Sequence, residues 1–190
     1  MDVSLAKSFI SQMKQYIEIK HIKKLTIIWH GGEPLLWGED NFREILGFAK
    51  KNFKGINYKS SIQTNISLMS DSYIRLFKEY NVHIGFSLDG YKELNDSQRV
   101  YPDGSGTYYD IMEKVELCRN AGLSIGCIIV GSRKHIGKIK ELYDFLCAHQ
   151  LNFKNCLGSL EYLNGSEVKG KLPANRFDQI VKDIRKGAKQ

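Results

Sequence analysis

Four cysteines are scattered through the 190-residue chain, Cys118, Cys127, Cys147 and Cys156, and none stands in a C-x-x-C or C-x-x-x-C pair. That spacing names no zinc site, no iron–sulfur site and no redox dithiol, and it excludes a disulfide-stapled miniprotein. Cys118 falls on the apolar face of an expected helix and Cys127 inside an expected strand, so all four read as core or incidental thiols. No metal ligand is assigned. Apolar runs never approach the about 18 residues a membrane helix needs, and Met1-Asp2-Val3-Ser4 lacks the basic start and apolar centre of a signal peptide. The expectation is a cytoplasmic protein with no membrane partner. Only three prolines occur and no Pro/Gly/Ser tract divides the chain, so a collagen, a long disordered tail and a two-domain linker are excluded.

What is present is ordinary globular composition, 42% hydrophobic and 26% charged, with a formal net charge of +7 that permits an acidic partner. The cations are dispersed among acids. Lys50, Lys51, Lys54, Lys134, Lys138 and Lys140 are the residues a nucleic-acid binder would use, but they fall on expected helix faces, where a solvated surface is the usual reading.

Hydrophobic periodicity predicts a strict alternation. Leu5, Phe9, Ile10, Met13 and Ile17 form a helical stripe capped by Asp2 or Ser4, and Leu25–Trp29 reads as a buried strand stopping at two glycines. A helix with Phe42, Ile45, Leu46, Ala49 and Phe53 follows, then a strand near 56–62 and a helix with Tyr73, Leu76, Phe77 and Tyr80. Next come a strand near 82–86, a helix with Ile111, Val115 and Cys118, and the most apolar strand, 123–130. A helix with Ile136, Ile139, Leu142, Tyr143 and Leu146 precedes a weaker strand near 153–160 and a last helix after Pro173. Five strands alternating with six helices imply βαβ crossovers and a parallel sheet. The polar connection from Gly90 to Thr107 is the one long loop, and its length points to function.

In parallel α/β folds ligands bind at the carboxyl ends of the strands. Those ends read His30-Gly31-Gly32-Glu33-Pro34, Gln63-Thr64-Asn65, Ser87-Leu88-Asp89-Gly90 and Gly131-Ser132-Arg133-Lys134. The glycine pair lets backbone approach a ligand, and Pro34 biases Glu33 towards an extended conformation. Glu33 either holds an ammonium group by charge-assisted hydrogen bonds or is a turn glutamate satisfied by a neighbouring helix N-terminus, and spacing alone leaves both open. Asp89-Gly90 is equally a common turn dipeptide, and His30 alone equally a packed histidine.

The ordered set Trp29-His30-Gly31-Gly32-Glu33-Pro34-Leu35-Leu36, Gln63-Thr64-Asn65 and Gly85-Phe86-Ser87-Leu88-Asp89-Gly90 resembles the radical S-adenosylmethionine (SAM) enzymes. It is most similar to their SPASM-type branch containing the anaerobic sulfatase-maturating enzymes, where the Ser-Leu-Asp-Gly segment is followed by an Asp and an Arg, here Asp96 and Arg99, then by a glycine-rich turn, here Gly104-Ser105-Gly106. The resemblance implies an α/β fold, a partial (β/α)6 TIM-like barrel. It implies that Gly31, Gly32, Glu33 and Pro34 contact the methionyl amino group of SAM, with His30 beside them. It also places Ser87 and Arg99 on the same cofactor, sets Gln63 and Asn65 at a polar strand end facing the pocket, and leaves Asp89 to organise the Ser87 turn. A peptide or protein substrate and an external electron donor are the implied partners.

One departure is explicit. The family's C-x-x-x-C-x-x-C motif, whose thiolates hold a 4Fe-4S cluster after a first strand, does not occur in these residues. Residues 1–190 are therefore expected to be a single incomplete barrel domain lacking that strand, with no auxiliary-cluster domain, and Leu25–Trp29 is expected to form an open sheet edge. The cluster would belong only to an intact protein, and without its ligands the chain is expected not to start radical chemistry alone. The alternative is a remnant that binds SAM or a peptide without turnover.

Overall fold

The computed structural model describes residues 2–135 and 137–151. Their elements are α1 (Val3–Ile19), β1 (Lys24–Trp29), α2 (Glu39–Asn52), β2 (Asn57–Thr64), α3 (Asp71–Glu79), β3 (Val82–Ser87), α4 (Lys92–Asn95), α5 (Tyr108–Asn120), β4 (Ile125–Ile128) and α6 (Ile139–Ala148). Single 3-10 turns at Pro34–Trp37 and Arg133–His135 complete the order. The sheet runs β1-β2-β3-β4, with β1 parallel to β2 from Lys24 opposite Asn57 to Trp29 opposite Ile62, and β2 parallel to β3 from Ser60 opposite Val82 to Thr64 opposite Phe86. The class is α/β with a parallel sheet, as the alternating periods imply. The expected strand at 153–160 and the helix after Pro173 lie outside the described residues.

Two compact units divide the chain, 1–87 with 110–126 and 88–109 with 127 onward. In the first, the alternate residues Ile62, Thr64, Val82, Ile84 and Phe86 are buried on one face of the sheet, and Phe42, Ile45, Leu46, Leu76 and Phe77 of α2 and α3 are buried with them. Asp2 caps α1 through the Ser4 amide, and Ser70 caps α3 through Tyr73. The second unit buries Leu88, Leu94, Cys127, Leu142, Leu146 and Leu151.

Three expectations are corrected. β1 is not a buried strand: its residues alternate between exposed and half-buried, and Ile28 is 62% exposed, because β1 ends the sheet and pairs only with β2 among the described residues. Among the described residues β1 is thus the sheet edge expected of Leu25–Trp29. The apolar run 123–130 overstates β4, since hydrophobicity continues past the paired residues Ile125–Ile128. The Gly90–Thr107 connection is not a plain loop: it contains α4 and an antiparallel bridge between Val100 and Gly106. A single helical turn is too short to leave a periodic signal.

The thiols follow from burial. Cys118 is buried in α5, and burial pushes its pKa up to about 11; Cys127 is buried and donates to the Leu88 carbonyl, while Cys147 is exposed. Since the thiolate is the nucleophile, iodoacetamide at pH 8 is expected to label Cys147 in the folded chain and to spare Cys118 and Cys127 until denaturant is added. Peptide mapping by mass spectrometry checks this, and prompt labelling of Cys118 in the native chain would contradict its placement.

Among the described residues no helix is long and apolar enough to cross a membrane. The six lysines considered for nucleic acid are two separate sets on the two units. Lys50 and Lys51 stand in the last turn of α2, where they complement its dipole, and Lys50 lies over the Tyr80 ring. Lys140 pairs with Asp144, and Lys134 donates to the Ser97 carbonyl. Three of these six side chains, those of Lys50, Lys134 and Lys140, thus have local partners.

Candidate functional site

The segment after β1 is shaped by its glycines. Gly31 and Gly32 sit at φ +117° and +55°, and nothing lies within 4 Å of where a Cβ would stand on either. Backbone is thus bare on the side a side chain would have covered. Glu33 is extended (φ −109°, ψ 107°), as its following proline requires, and Pro34 opens a 3-10 turn where a missing N–H costs nothing. The Tyr73 hydroxyl of α3 donates to the Leu35 carbonyl at 2.6 Å and anchors this turn. Burial, with the Glu39 charge nearby, pushes the Tyr73 phenol up, so it stays a donor.

The carboxylate of Glu33 is held from inside the unit by three donors. Oε1 accepts from the Leu35 amide at 3.1 Å and from the Thr64 hydroxyl, and Oε2 accepts from the Asn65 amide at 2.7 Å. A carboxylate offers about four acceptor positions, so one remains, on Oε2. The turn role of Glu33 is thus observed, and one acceptor position on Oε2 stands beyond the three internal donors. His30, exposed, lies with Trp29, Gly31, Glu33, Pro34, Leu36, Trp37 and Phe42 around a cavity of about 410 Å³. The cavity's aromatic side is fixed by Trp29, whose indole donates to Ser60 at 2.9 Å and whose ring packs near Trp37 and edge-on to Phe42.

The Gln63-Thr64-Asn65 segment is divided by the pleat. β2 extends through Thr64, two residues beyond the expected end, so Gln63 and Thr64 point to opposite faces. Gln63 donates to Ser87 Oγ at 3.2 Å across to β3, and it lies over Gly85, where an added Cβ would stand 2.3 Å from Gln63 Oε1. Thr64 is on the buried face and reaches Glu33, a contact the sequence reading missed; strand parity with the apolar Ile62 was the available signal. Asn65 is exposed, and its side chain accepts from Ser67 N and Oγ, so its amide N–H, rather than its carboxamide, serves Glu33. Next to it Ile66 is fully buried at φ +64°, a conformation that costs a β-branched residue about 1–3 kcal/mol.

In the second unit Asp89 and Arg99 form a pair. Asp89 is 3% exposed; its carboxylate accepts from Arg99 Nε at 2.8 Å, from Arg99 Nη2 at 3.3 Å and from the Val130 amide at 2.9 Å. Its own amide donates to Asn95 Oδ1, and its carbonyl receives His135 Nε2 at 2.7 Å. The other His135 nitrogen, Nδ1, accepts from the Ser132 amide, which fixes the tautomer with hydrogen on Nε2. Asn95, fully buried, also donates to Asp96 and Thr107, and Asp96 accepts the Tyr108 amide at the start of α5. Gly106 is glycine because a Cβ there would stand 2.2 Å from the Asp96 carboxylate. Asp89 thus organises the turn after β3, and Arg99's fork is directed at Asp89. Asn95 and His135, both missed, are legible only once distant segments meet.

An ammonium-bearing ligand fits at Glu33: a carboxylate with one open acceptor, beside bare glycine backbone. A metal cluster does not fit, since among the described residues no three His, Cys, Asp or Glu stand together.

Residues 9–146 match the family described as the Radical SAM superfamily. The chain is 32% identical over 154 residues to an uncharacterized protein of Methanothermobacter thermautotrophicus, covering 81% of this chain and 56% of that one. It is 31% identical over 140 residues to the cysteine-type anaerobic sulfatase-maturating enzyme of Clostridium novyi, covering 73% and 37%. A solved structure of native anSMEcpe with bound AdoMet and Kp18Cys peptide superposes with a TM-score of 0.80 at 21% identity, covering 97% of this chain and 51% of that one. That likeness carries the fold. The chain spans about half the length of these relatives, or less.

Proposed function

Because the chain belongs to the radical SAM superfamily, we propose that it forms the SAM-binding core of an enzyme that modifies a peptide or protein side chain. The observation that carries this reading is the Glu33 carboxylate, braced by Leu35, Thr64 and Asn65 with one acceptor position left on Oε2. Its charge would hold the methionyl ammonium, the exposed backbone of Gly31 and Gly32 would lie along the chain of the ligand, and His30 and Pro34 would line its entry. Gln63, Asn65, Ser87 and Arg99 are the further proposed SAM contacts, and Asp89 holds Arg99. Bound SAM would supply hydrogen abstraction from the substrate after one-electron reduction. This chain's residues bind and orient it.

The peptide or protein substrate is supported by the sulfatase-maturating relatives and by the peptide in the superposed structure. An external reductant would deliver the electron, in the cytoplasm, to a single barrel domain that includes these residues. The cluster that would use such an electron finds no ligand set among the described residues, whose proposed share is to bind and orient SAM. Isothermal titration of the 190-residue chain with SAM tests this: saturable binding is expected, weakened at least about tenfold for an analogue lacking the amino group, in line with one charge-assisted hydrogen bond. Equal binding of both ligands, or none, would overturn the cradle.

A further inference from the structure

We infer that Thr64 is a positioning residue for the cofactor's ammonium group, acting through Glu33, and that its hydroxyl sets which carboxylate oxygen is offered to the ligand. The inference rests on the reading of Glu33 as the ammonium acceptor. Thr64 is the buried end of β2, 3% exposed, and its hydroxyl has one hydrogen to give. The Ile66 amide, at 3.0 Å, occupies its acceptor side, and an amide can only donate. The hydroxyl hydrogen therefore has to go to Glu33 Oε1, which it meets directly. With the Leu35 amide on the same atom, Oε1 has both acceptor positions filled. The open position then falls on Oε2, whose one internal partner is the Asn65 amide.

The rest of the turn supports this assignment. Ile66 holds a left-handed conformation that isoleucine avoids, and it is fully buried, so packing fixes it there. The same turn brings the Asn65 amide to Glu33 and the Ile66 amide to Thr64. A simple structural threonine would satisfy itself on its own strand; this one spends its only hydrogen on a carboxylate 31 residues away. Gln63 and Asn65, which flank it, present no side-chain contact to Glu33 in the described hydrogen bonds, so Thr64 is the side chain of this segment that touches the acceptor.

The test uses Thr64→Val, which keeps shape and removes the hydroxyl, Thr64→Ser, which restores it, Glu33→Gln, and the Thr64→Val/Glu33→Gln pair. Titration with SAM and with 5′-methylthioadenosine, which lacks the amino acid part, is the readout. Thr64→Val is expected to weaken SAM about tenfold and 5′-methylthioadenosine under about twofold, with Thr64→Ser restoring most of the loss; a tenfold loss is the scale of one hydrogen bond to a charged group. In the Glu33→Gln background Thr64→Val is expected to add nothing, because its route to the ligand is gone. If Glu33→Gln weakens SAM while Thr64→Val does not, or if Thr64→Val weakens both ligands equally, the positioning role is wrong and the Glu33 reading stands. If Glu33→Gln changes nothing, both fall. Should Thr64→Val fail to fold, amide exchange of the unaltered chain decides: the Ile66 amide is expected to be protected, and exchange at the rate of an exposed loop amide would overturn the inference.

Discussion

Glu33→Gln is expected to weaken SAM binding by about 30-fold or more while leaving affinity for the amino-acid-free nucleoside within about twofold, the loss corresponding to a charge-assisted hydrogen bond of roughly 1.5–3 kcal/mol. The size follows from the donors around the carboxylate. Leu35 N–H, Thr64 O–H and Asn65 N–H all point at Glu33 oxygens, and glutamine has one oxygen to offer them. If that oxygen takes the Oε1 place, the new NH2 faces the Asn65 amide and stands where a ligand ammonium has to dock. If it takes the Oε2 place, the NH2 confronts two donors. Either arrangement removes the charge and sets donor against donor. Calorimetric titration with both ligands checks it. A parallel thermal melt separates lost binding from lost folding, because the turn oxygen of Glu33 also caps Pro34–Trp37. A variant that binds SAM as the unaltered chain does would remove Glu33 from the site.

How far the sequence led depends on whether the information was periodic or long-range. α1, α2, α3 and their alternation with β1 to β3 follow from stripes such as Phe42, Ile45, Leu46 and Ala49, because a 3.6-residue repeat survives without any knowledge of partners. Glu33 was legible for another local reason: the residue before a proline, after two glycines, is constrained by its neighbours alone. What was not legible was every contact whose partner lies far along the chain. The Thr64 hydroxyl meets a residue 31 positions earlier, and His135 meets a carbonyl 46 positions earlier. No pattern in either segment announces the other. The end of β2 was misjudged for a related reason, since Gln63 and Thr64 read as a polar strand end beyond the apolar run 56–62, while in the sheet they meet Ser87 and Glu33.

The same reasoning makes Asp89 the residue whose loss should cost the fold most. Asp89 is a carboxylate 3% exposed, paired with an arginine through two hydrogen bonds and with the Val130 amide through a third. Taking such a charge out of water is unfavourable, and the pair is tolerated because each partner compensates the other; losing Arg99, itself 26% exposed, leaves the Asp89 carboxylate buried without its countercharge, and losing Asp89 leaves Arg99 and the Val130 amide without their acceptor, at a cost of about 3–5 kcal/mol. Asp89→Ala is expected to lose that much in urea denaturation, and Arg99→Ala to lose a comparable amount, since it strands the deeper charge. The double variant is the informative one. With both charges gone only the Val130 amide is left unpaired, so the pair of substitutions is expected to cost less than the sum of the two, by at least about 2 kcal/mol, the coupling expected of contacting residues. Additive losses would mean that Asp89 and Arg99 stabilise the unit independently, and that Arg99 is not held by Asp89 for any purpose. Asp89→Asn sharpens the contrast: it keeps an acceptor for Val130 but turns an NH2 towards the guanidinium, so it should behave nearer to Asp89→Ala than its similar shape suggests.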